Sequence, residues 1–518
     1  MMRLNFQHWN PWSQVFGCIG LGVLASLAYA PISAIPCAFV AFPLWLYILQ
    51  IHQKSSWQRI FVLGWSFGLG YFTGGLYWIT FSLGTDISAF WWLIPFSLLG
   101  IPSILSIYIG LIAVILQRVH CTGISRCFWF ASLWTIAEVT WGSGSLGLPW
   151  NPLGSMWSSF SPLLQSVSVI GVYGLTLITA LWVSTPILLE KHKLKMPQVI
   201  FITCQVVILV GASSWGMIRP HTTPTAELEN PPFIRLVQPS LPQDLDWSPE
   251  KAGEQFFNLM NLSSTTTERL PDLIVWPESA LPLLLDENTQ ARETIAKILK
   301  PDAFLLSGSL RREFNGGEKP KVYNSMVIVD AGGNVITNYD KTHLVPFGEY
   351  LPLRQLIPDS ITKITAGETD FSRGQGLKTI SLGEFPAFSP LICYEVIFSG
   401  QVISSKSPRA QWILVITNDA WYGHTSGPYQ HLQLTRLRSI EEGLPLVRAA
   451  NSGISAVFDA FGREIIRKDL GEKGVVDAEL PPALRNPTLF SLYGQLIFII
   501  LLASFVLLGM AFRKPPIL

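Results

Sequence analysis

Between residues 13 and 217 the chain is a succession of apolar runs long enough to cross a bilayer, and a further one lies at 488–511. A hydrocarbon core about 30 Å thick takes roughly 20 residues of helix, because a helix satisfies its own backbone where no water is present. The runs fall at roughly 13–30, 31–51, 60–83, 89–116, 127–141, 163–189, 198–217 and 488–511, so eight spans are expected. The first two abut at Pro31 and read as a tight hairpin. The fifth is the shortest and carries Glu138, a residue that is costly at bilayer depth. A functional role for Glu138 and a structural hydrogen bond to a neighbouring span are equal readings at this stage.

The sparse charges orient these spans. Before residue 219 the basic residues are Arg3, Lys54, Arg59, Arg118, Arg126, Lys191, Lys193 and Lys195, and the acidic ones are Asp86, Glu138 and Glu190. With the amino terminus in the cytoplasm, all of these cations fall on the cytoplasmic side, together with Arg513 and Lys514. The opposite connections, 84–88 and 142–162, contain no Lys or Arg. Omitting the fifth span would strand Lys191, Lys193 and Lys195 outside. Residues 1–218 therefore read as a membrane domain of seven spans and 219–232 as a Pro-rich linker. Residues 233–480 read as an external domain, and 481–518 as a second linker, the last span and a cytoplasmic tail. Ala28-Tyr29-Ala30 resembles a signal-peptidase site, but Pro31 and the spans that follow favour an anchor. The net charge of +1, without a dense basic patch, excludes an evident nucleic-acid partner.

In the external domain, short β-rich runs alternate with helical stretches, the mark of an α/β layered fold. Strands are expected at 233–240, 272–279, 303–310, 323–330, 389–398, 412–419 and 453–460, and helices at 249–269, 287–300 and 428–443. Of the chain's 6 cysteines this domain holds only Cys393, which excludes a disulfide within it. Cys393 sits in FSPLICYEVIF, a run that reads as a buried strand, where packing is the ordinary role of a cysteine. Glu278 ends the apolar stretch LIVWPES and alone reads equally as a helix cap. Lys341, in NYDKTHLVPFGEYLP, follows a strand and alone reads as a solvated loop lysine. Taken together, a base, a cation for an oxyanion and a thiol meet the needs of acyl transfer without histidine or metal.

The order Glu, Lys, Cys in α/β strands resembles the nitrilase superfamily of carbon–nitrogen hydrolases. The segments VWPESALP, YDKTHLVPFGEYLPL, ICYEVIF, ITNDAWYG and GPYQHLQLTRLRSIEEGLPLVRAANSGISA are similar to the apolipoprotein N-acyltransferase family. That family inserts a nitrilase-like domain before the last of eight spans, the layout read above from hydropathy. The resemblance implies an external αββα sandwich with Glu278 as general base, Lys341 as oxyanion-stabilising cation and Cys393 as nucleophile. It implies support from Glu349, Tyr394 and Glu395, an arm over the site bearing Trp247, and a second aromatic near the site, Trp421.

The implied reaction is two-step. A phospholipid acyl group passes to Cys393 as a thioester, then to the amino-terminal diacylglyceryl-cysteine of an apolipoprotein, the final step of bacterial lipoprotein maturation. No cofactor or metal is expected. The expected state is a monomer, multi-pass in the bacterial inner membrane with its catalytic domain on the periplasmic side. Two departures touch substrate contacts. EVTWGSG follows Glu138 where the family often has an Arg, and His424 stands where an acidic residue is common. The loop 142–157, with Trp150 and Trp157, reads as a floor for acyl chains or as a plain interfacial connector. The competing functions are a membrane-tethered nitrilase-type amidase and a transporter or scaffold with a nitrilase-like domain. Nearly uncharged spans speak against ion coupling, and the complete triad speaks against a degenerate domain.

Overall fold

The computed structural model describes residues 10–144, 147–190, 194–241, 248–281, 283–314, 320–352, 354 and 369–513. The chain divides into two compact units, Met1–Thr223 with Thr488–Leu518, and Pro224–Pro487.

The second unit is a sandwich of two sheets. Its strands are β1 (Phe233–Gln238), β2 (Leu273–Trp276), β3 (Phe304–Glu313), β4 (Lys321–Asp330), β5 (Val335–Asp340), β6 (Phe388–Ile392), β7 (Trp412–Thr417), β8 (Leu446–Ala450), β9 (Ser455–Phe458), β10 (Glu464–Lys468) and β11 (Gly474–Glu479). One sheet has the order β11-β1-β2-β3-β4-β5 and the other β10-β9-β8-β7-β6. The central triplets β1-β2-β3 and β6-β7-β8 are parallel, and the outer strands pair antiparallel.

Side chains alternate across a strand, so each sheet can feed two layers. Ile234, Leu236, Leu273, Val275, Leu306, Met326 and Ile328 of the first sheet meet Phe388, Ile392, Leu414, Ile416, Val447 and Val457 of the second in one core. On the outer face of the first sheet, Val237, Ile274, Trp276, Leu305 and Val327 pack with Leu259 and Ile295. These belong to the helices Pro249–Ser263 and Thr289–Ala296. The helix Ser426–Glu442 lies against β8 of the second sheet. The layers are therefore helix, sheet, sheet, helix. The two ends of the unit are clasped together. Thr225 and Leu484 form an antiparallel bridge, flanked by Ala226 N–H to Ala483 O at 2.8 Å and Arg485 N–H to Pro224 O at 3.1 Å.

One expected strand is shorter than its apolarity suggests. The run 389–398 is extended only to Ile392, and Cys393–Ile397 forms a 3-10 turn. Cys393 has φ 52°, which no strand accommodates, and the Glu395 carboxylate accepts the Ile392 N–H at 2.8 Å across the break.

The first unit is helical. Its longer helices are Pro11–Ser26, Ile35–Ile51, Trp57–Leu76, Ile101–Arg118, Ile124–Trp141, Val167–Ser184, Met196–Thr222 and Leu496–Ala511. Among the described residues, 3 helical stretches are long and apolar enough to cross a membrane: Trp91–Arg118, Val167–Leu189 and Met196–Thr222. Ile35–Ile51 and Leu496–Ala511 are apolar but shorter. Helices approach closely at small residues, as bilayer packing favours. A Cβ on Gly70 would lie 2.0 Å from Ile19 O, and one on Gly22 would lie 2.0 Å from Phe67 O.

Glu138, buried in the helix Ile124–Trp141, proves to be a structural hub. Its Oε1 accepts the Trp134 indole N–H and the Leu153 N–H, each at 2.8 Å, and its Oε2 accepts the Thr176 hydroxyl at 2.9 Å. Thr176 Oγ1 in turn accepts the Gly154 N–H at 2.9 Å. The loop around 150–159 is thereby pinned into the helical unit. Trp150 packs on Trp78 with ring centroids 4.4 Å apart, and Trp157 donates to Thr179 at 2.9 Å. Both tryptophans are buried. Leaving a buried donor unsatisfied costs about 1–3 kcal/mol. Glu138→Ala should therefore lower the thermal midpoint in detergent markedly. Glu138→Gln keeps an acceptor for Trp134 and Leu153 and should cost much less. Equal midpoints for the two variants in a thermal-shift assay would count against the hub.

Candidate active site

Glu278 and Cys393 stand just beyond the carboxyl ends of parallel strands, where an α/β sheet opens a crevice. Glu278 lies two residues after β2 and Cys393 directly follows β6. Lys341 directly follows β5 and is anchored by its N–H to Asn324 O at 2.8 Å.

The Lys341 ammonium, 1% exposed, donates to Glu278 Oε1 at 3.2 Å and to Glu349 Oε1 at 3.0 Å. Asn324 on β4 doubles the link, its Nδ2 donating to the same two oxygens at 2.8 and 2.9 Å. Glu278 Oε2 accepts the Asn418 N–H at 2.9 Å, and Glu349 Oε2 accepts the Val345 N–H at 2.8 Å. A carboxylate has about four acceptor sites, so Glu278 keeps room on Oε2 for one more donor. An ammonium has three hydrogens, and two of them are engaged among the described residues, which leaves the third for a ligand. Burial alone would drive Lys341 toward neutrality, but the Glu278 and Glu349 carboxylates outweigh it and hold its pKa well above the ordinary lysine value.

Cys393 is buried and sits in the left-handed region, which costs an L residue roughly 1–2 kcal/mol. Its thiol pKa is pushed up to about 12, first by burial and then by the Glu278 charge, with Lys341 pulling the other way. The resting side chain is thus a neutral thiol that needs a base. Tyr422 Oη lies 3.9 Å from Sγ. Tyr394 is buried beside it, its ring edge-on to Phe398.

Glu395 resolves into a brace. Its Oε1 accepts from the Tyr339 hydroxyl (2.9 Å), the Thr342 N–H (2.6 Å) and hydroxyl (2.8 Å), and the His343 N–H (3.2 Å). With Oε2 on the Ile392 N–H, it ties the cysteine turn to the lysine loop.

These features lie in a chain whose residues 21–185 match the family model for the apolipoprotein N-acyltransferase N-terminal domain. Residues 234–488 match the carbon-nitrogen hydrolase family. The apolipoprotein N-acyltransferase of Rhodopseudomonas palustris is 34% identical over 98% of this chain and 96% of its own. That of Rickettsia bellii is 36% identical over 95% of this chain and 96% of its own. The chain belongs to the apolipoprotein N-acyltransferase family. Among solved structures, an amidase from Nesterenkonia sp. is similar to 49% of this chain and 92% of its own, at 21% identity and a TM-score of 0.36.

Within this family member, the remaining residues singled out from the sequence separate. Trp421 is half-buried in the turn Asp419–Tyr422 that follows β7. Trp247 lies outside the described residues. Leu241, just before the segment that carries it, is held by Asn451, which accepts the Leu241 N–H at 3.0 Å and donates to its carbonyl at 2.9 Å. His424 is exposed. Asn324, Asn418 and Tyr422 were not anticipated. The signal for Asn324 was present, a lone amide in the apolar run VYNSMVIV.

Cys393, Asp419 and His431 carry ligand-type atoms within 4.8 Å of one another. Arg448 Nη2 meets both Asp419 Oδ2 and His431 Nδ1, so a fixed cation already neutralises that cluster, and it does not fit a metal ion.

The raised thiol pKa makes a testable pH profile. Below its pKa, thiolate and hence alkylation rate grow tenfold per pH unit. An ordinary cysteine levels off near pH 8.5. Iodoacetamide labelling of Cys393, followed on its own peptide by mass spectrometry, should still be climbing at about pH 10. Glu278→Gln removes a charge that disfavours the thiolate and should move the curve to lower pH. A plateau below about pH 9 in the unmodified protein would contradict the profile.

Proposed function

We propose that this protein N-acylates the amino-terminal S-diacylglyceryl-cysteine of apolipoproteins, with a phospholipid as acyl donor and Cys393 as the nucleophile. The observation that carries this reading is the buried network in which one ammonium, Lys341, bridges Glu278 and Glu349 next to a neutral thiol on a strained turn, in a chain of this family.

Glu278 takes the thiol proton on its remaining acceptor site as Sγ attacks the ester carbon of the phospholipid. Negative charge leaves sulfur for the ester oxygen, where the third Lys341 hydrogen stabilises it. Lysophospholipid departs with the proton from Glu278, and the acyl group remains as a thioester. The free α-amine of the diacylglyceryl-cysteine then attacks the thioester, gives a proton to Glu278, and thiolate leaves to recover its proton. Glu349 holds Lys341 between the two carboxylates, so that Glu278 is not wholly consumed by the ion pair. Tyr394 and Trp421 belong to the substrate side of the site, and the arm with Trp247 is carried over only as the family resemblance implies it.

Both substrates are membrane lipids, which supplies a physical reason to fasten the catalytic unit to apolar helices at both ends. The charge pattern supports eight spans with the catalytic unit on the periplasmic side of the inner membrane, and the protein acts as a monomer.

Cys393→Ser should abolish N-acylation of a diacylglyceryl lipopeptide, with the acyl adduct on residue 393 lost after incubation with phospholipid alone. Glu278→Gln should slow acylation by about 10²–10⁴-fold, the usual worth of a general base. Wild-type rates in either variant, read by mass spectrometry of lipopeptide and enzyme, would sink the assignment.

A further inference from the structure

Behind the Cys393 turn lies a polar cluster that the steps above do not use. Asp419 follows β7, His431 belongs to the helix Ser426–Glu442, and Arg448 is central in β8. All are buried, His431 and Arg448 completely. The Arg448 guanidinium is fixed by Nε to Ile454 O at 3.1 Å, by Nη1 to Thr435 Oγ1 at 3.1 Å, and by Nη2 to Asp419 Oδ2. Asp419 Oδ1 accepts the Thr417 hydroxyl at 2.9 Å and lies 3.0 Å from His431 Nδ1. Tyr422 packs edge-on against the imidazole, centroids 5.9 Å apart. With the ring so held, His431 Nε2 lies 3.3 Å from the Cys393 carbonyl oxygen. A carbonyl oxygen can only accept, so this contact places a proton on Nε2.

Resting on the reading of Cys393 as nucleophile, we propose that His431, oriented by the Asp419–Arg448 ion pair, is a positioning residue that holds the Cys393 peptide in its left-handed conformation. A non-glycine residue with φ 52° persists only where its surroundings over-determine it. Glu395 fixes the backbone one residue before Cys393, through the Ile392 N–H. His431 fixes it at the carbonyl of Cys393 itself. The turn is therefore clamped on both sides of the residue that must present its sulfur to Glu278 and Lys341. Without the second clamp the peptide relaxes toward the extended conformation of β6 and the sulfur leaves its attack position. The electrostatics make the device stiff. Burial works against the Asp419 charge, but the Arg448 guanidinium outweighs it and holds the carboxyl well below the usual carboxylate range, while burial and Arg448 lower the His431 pKa below the ordinary imidazole value.

The test compares His431→Leu, which removes the donor, with His431→Gln, whose amide reaches to the same depth with an N–H. Full-length protein in detergent is given phospholipid, and single-turnover acylation of the Cys393 peptide is followed by mass spectrometry. A misplacement of about 1 Å costs about 100-fold in rate. His431→Leu should therefore acylate about 100-fold more slowly. The half-saturating phospholipid concentration should be unchanged, the melting midpoint should fall because the Cys393 carbonyl and Arg448 lose a buried partner, and His431→Gln should recover most of the rate. Asp419→Asn, which keeps the shape but loosens the ring, should fall between them, and it carries the test if His431→Leu does not fold. A wild-type acylation rate in His431→Leu or in Asp419→Asn overturns the proposal, as does a His431→Gln variant as slow as His431→Leu. Cys393→Ala runs alongside. An acyl adduct that survives in it would refute the nucleophile reading itself, an outcome visible independently of His431.

Discussion

The carboxylate of Glu395 collects donors from the end of β5, the lysine loop and the end of β6, and the positions of Lys341 and Cys393 both follow from it. A buried carboxylate is tolerated only when its lone pairs are filled. Hydrogen bonds to an ionised group are worth roughly 1.5–3 kcal/mol each. The two sheets contribute one edge strand each to this knot, β5 and β6, so the knot also sews the sandwich together along that side. Within the first sheet, the Arg235 guanidinium on β1 donates through Nε and Nη2 to the Asp477 carboxylate on β11 at 2.8 Å each.

The balance of charge inside the site is deliberate in its asymmetry. Burial first, and then the Glu278 charge, disfavour a thiolate at Cys393 against the pull of Lys341. In the mechanism proposed above, reactivity is withheld until a substrate oxygen can take up the charge as the proton moves to Glu278. In the cluster behind the turn, Arg448 and Asp419 form a buried ion pair, and the Asp419 charge adds a further contribution to the raised pKa of the Cys393 thiol.

The sequence made the two-unit layout and the interior strands readable, because LIVW, FLLSGS and WILVIT are apolar on both faces and can only be core. The outer strands β5, β10 and β11 are rich in polar and charged residues, and β8 contains Arg448, so none of the four stood out. The turn at Cys393 escaped notice because CYEVIF is as apolar in a 3-10 turn as in a strand; a φ value leaves no mark in hydropathy. Glu278, Lys341 and Cys393 could be singled out one by one, each with a bland alternative. Their meeting is a matter of register between distant strands. Asn324, Asp419, His431 and Arg448 were hidden for the same reason, since their partners lie up to 46 residues away. Glu138 stands out by its cost in an apolar run, and its contacts to Trp134, Leu153 and Thr176, the last on a neighbouring helix, are visible only in the structure.

The clasp of Thr225 with Leu484 brings the first and last residues of the sandwich side by side. A unit whose ends meet is topologically a bead threaded onto the chain at a single point. The helices before and after it can take up their packing without waiting for the sandwich, and the sandwich can complete β1 with β11, its first and last strands, as soon as residue 479 is available. Such a layout lets a ready-made catalytic module be exchanged as one cassette, with the surrounding helices asking only that two strands of backbone leave and return at the same place.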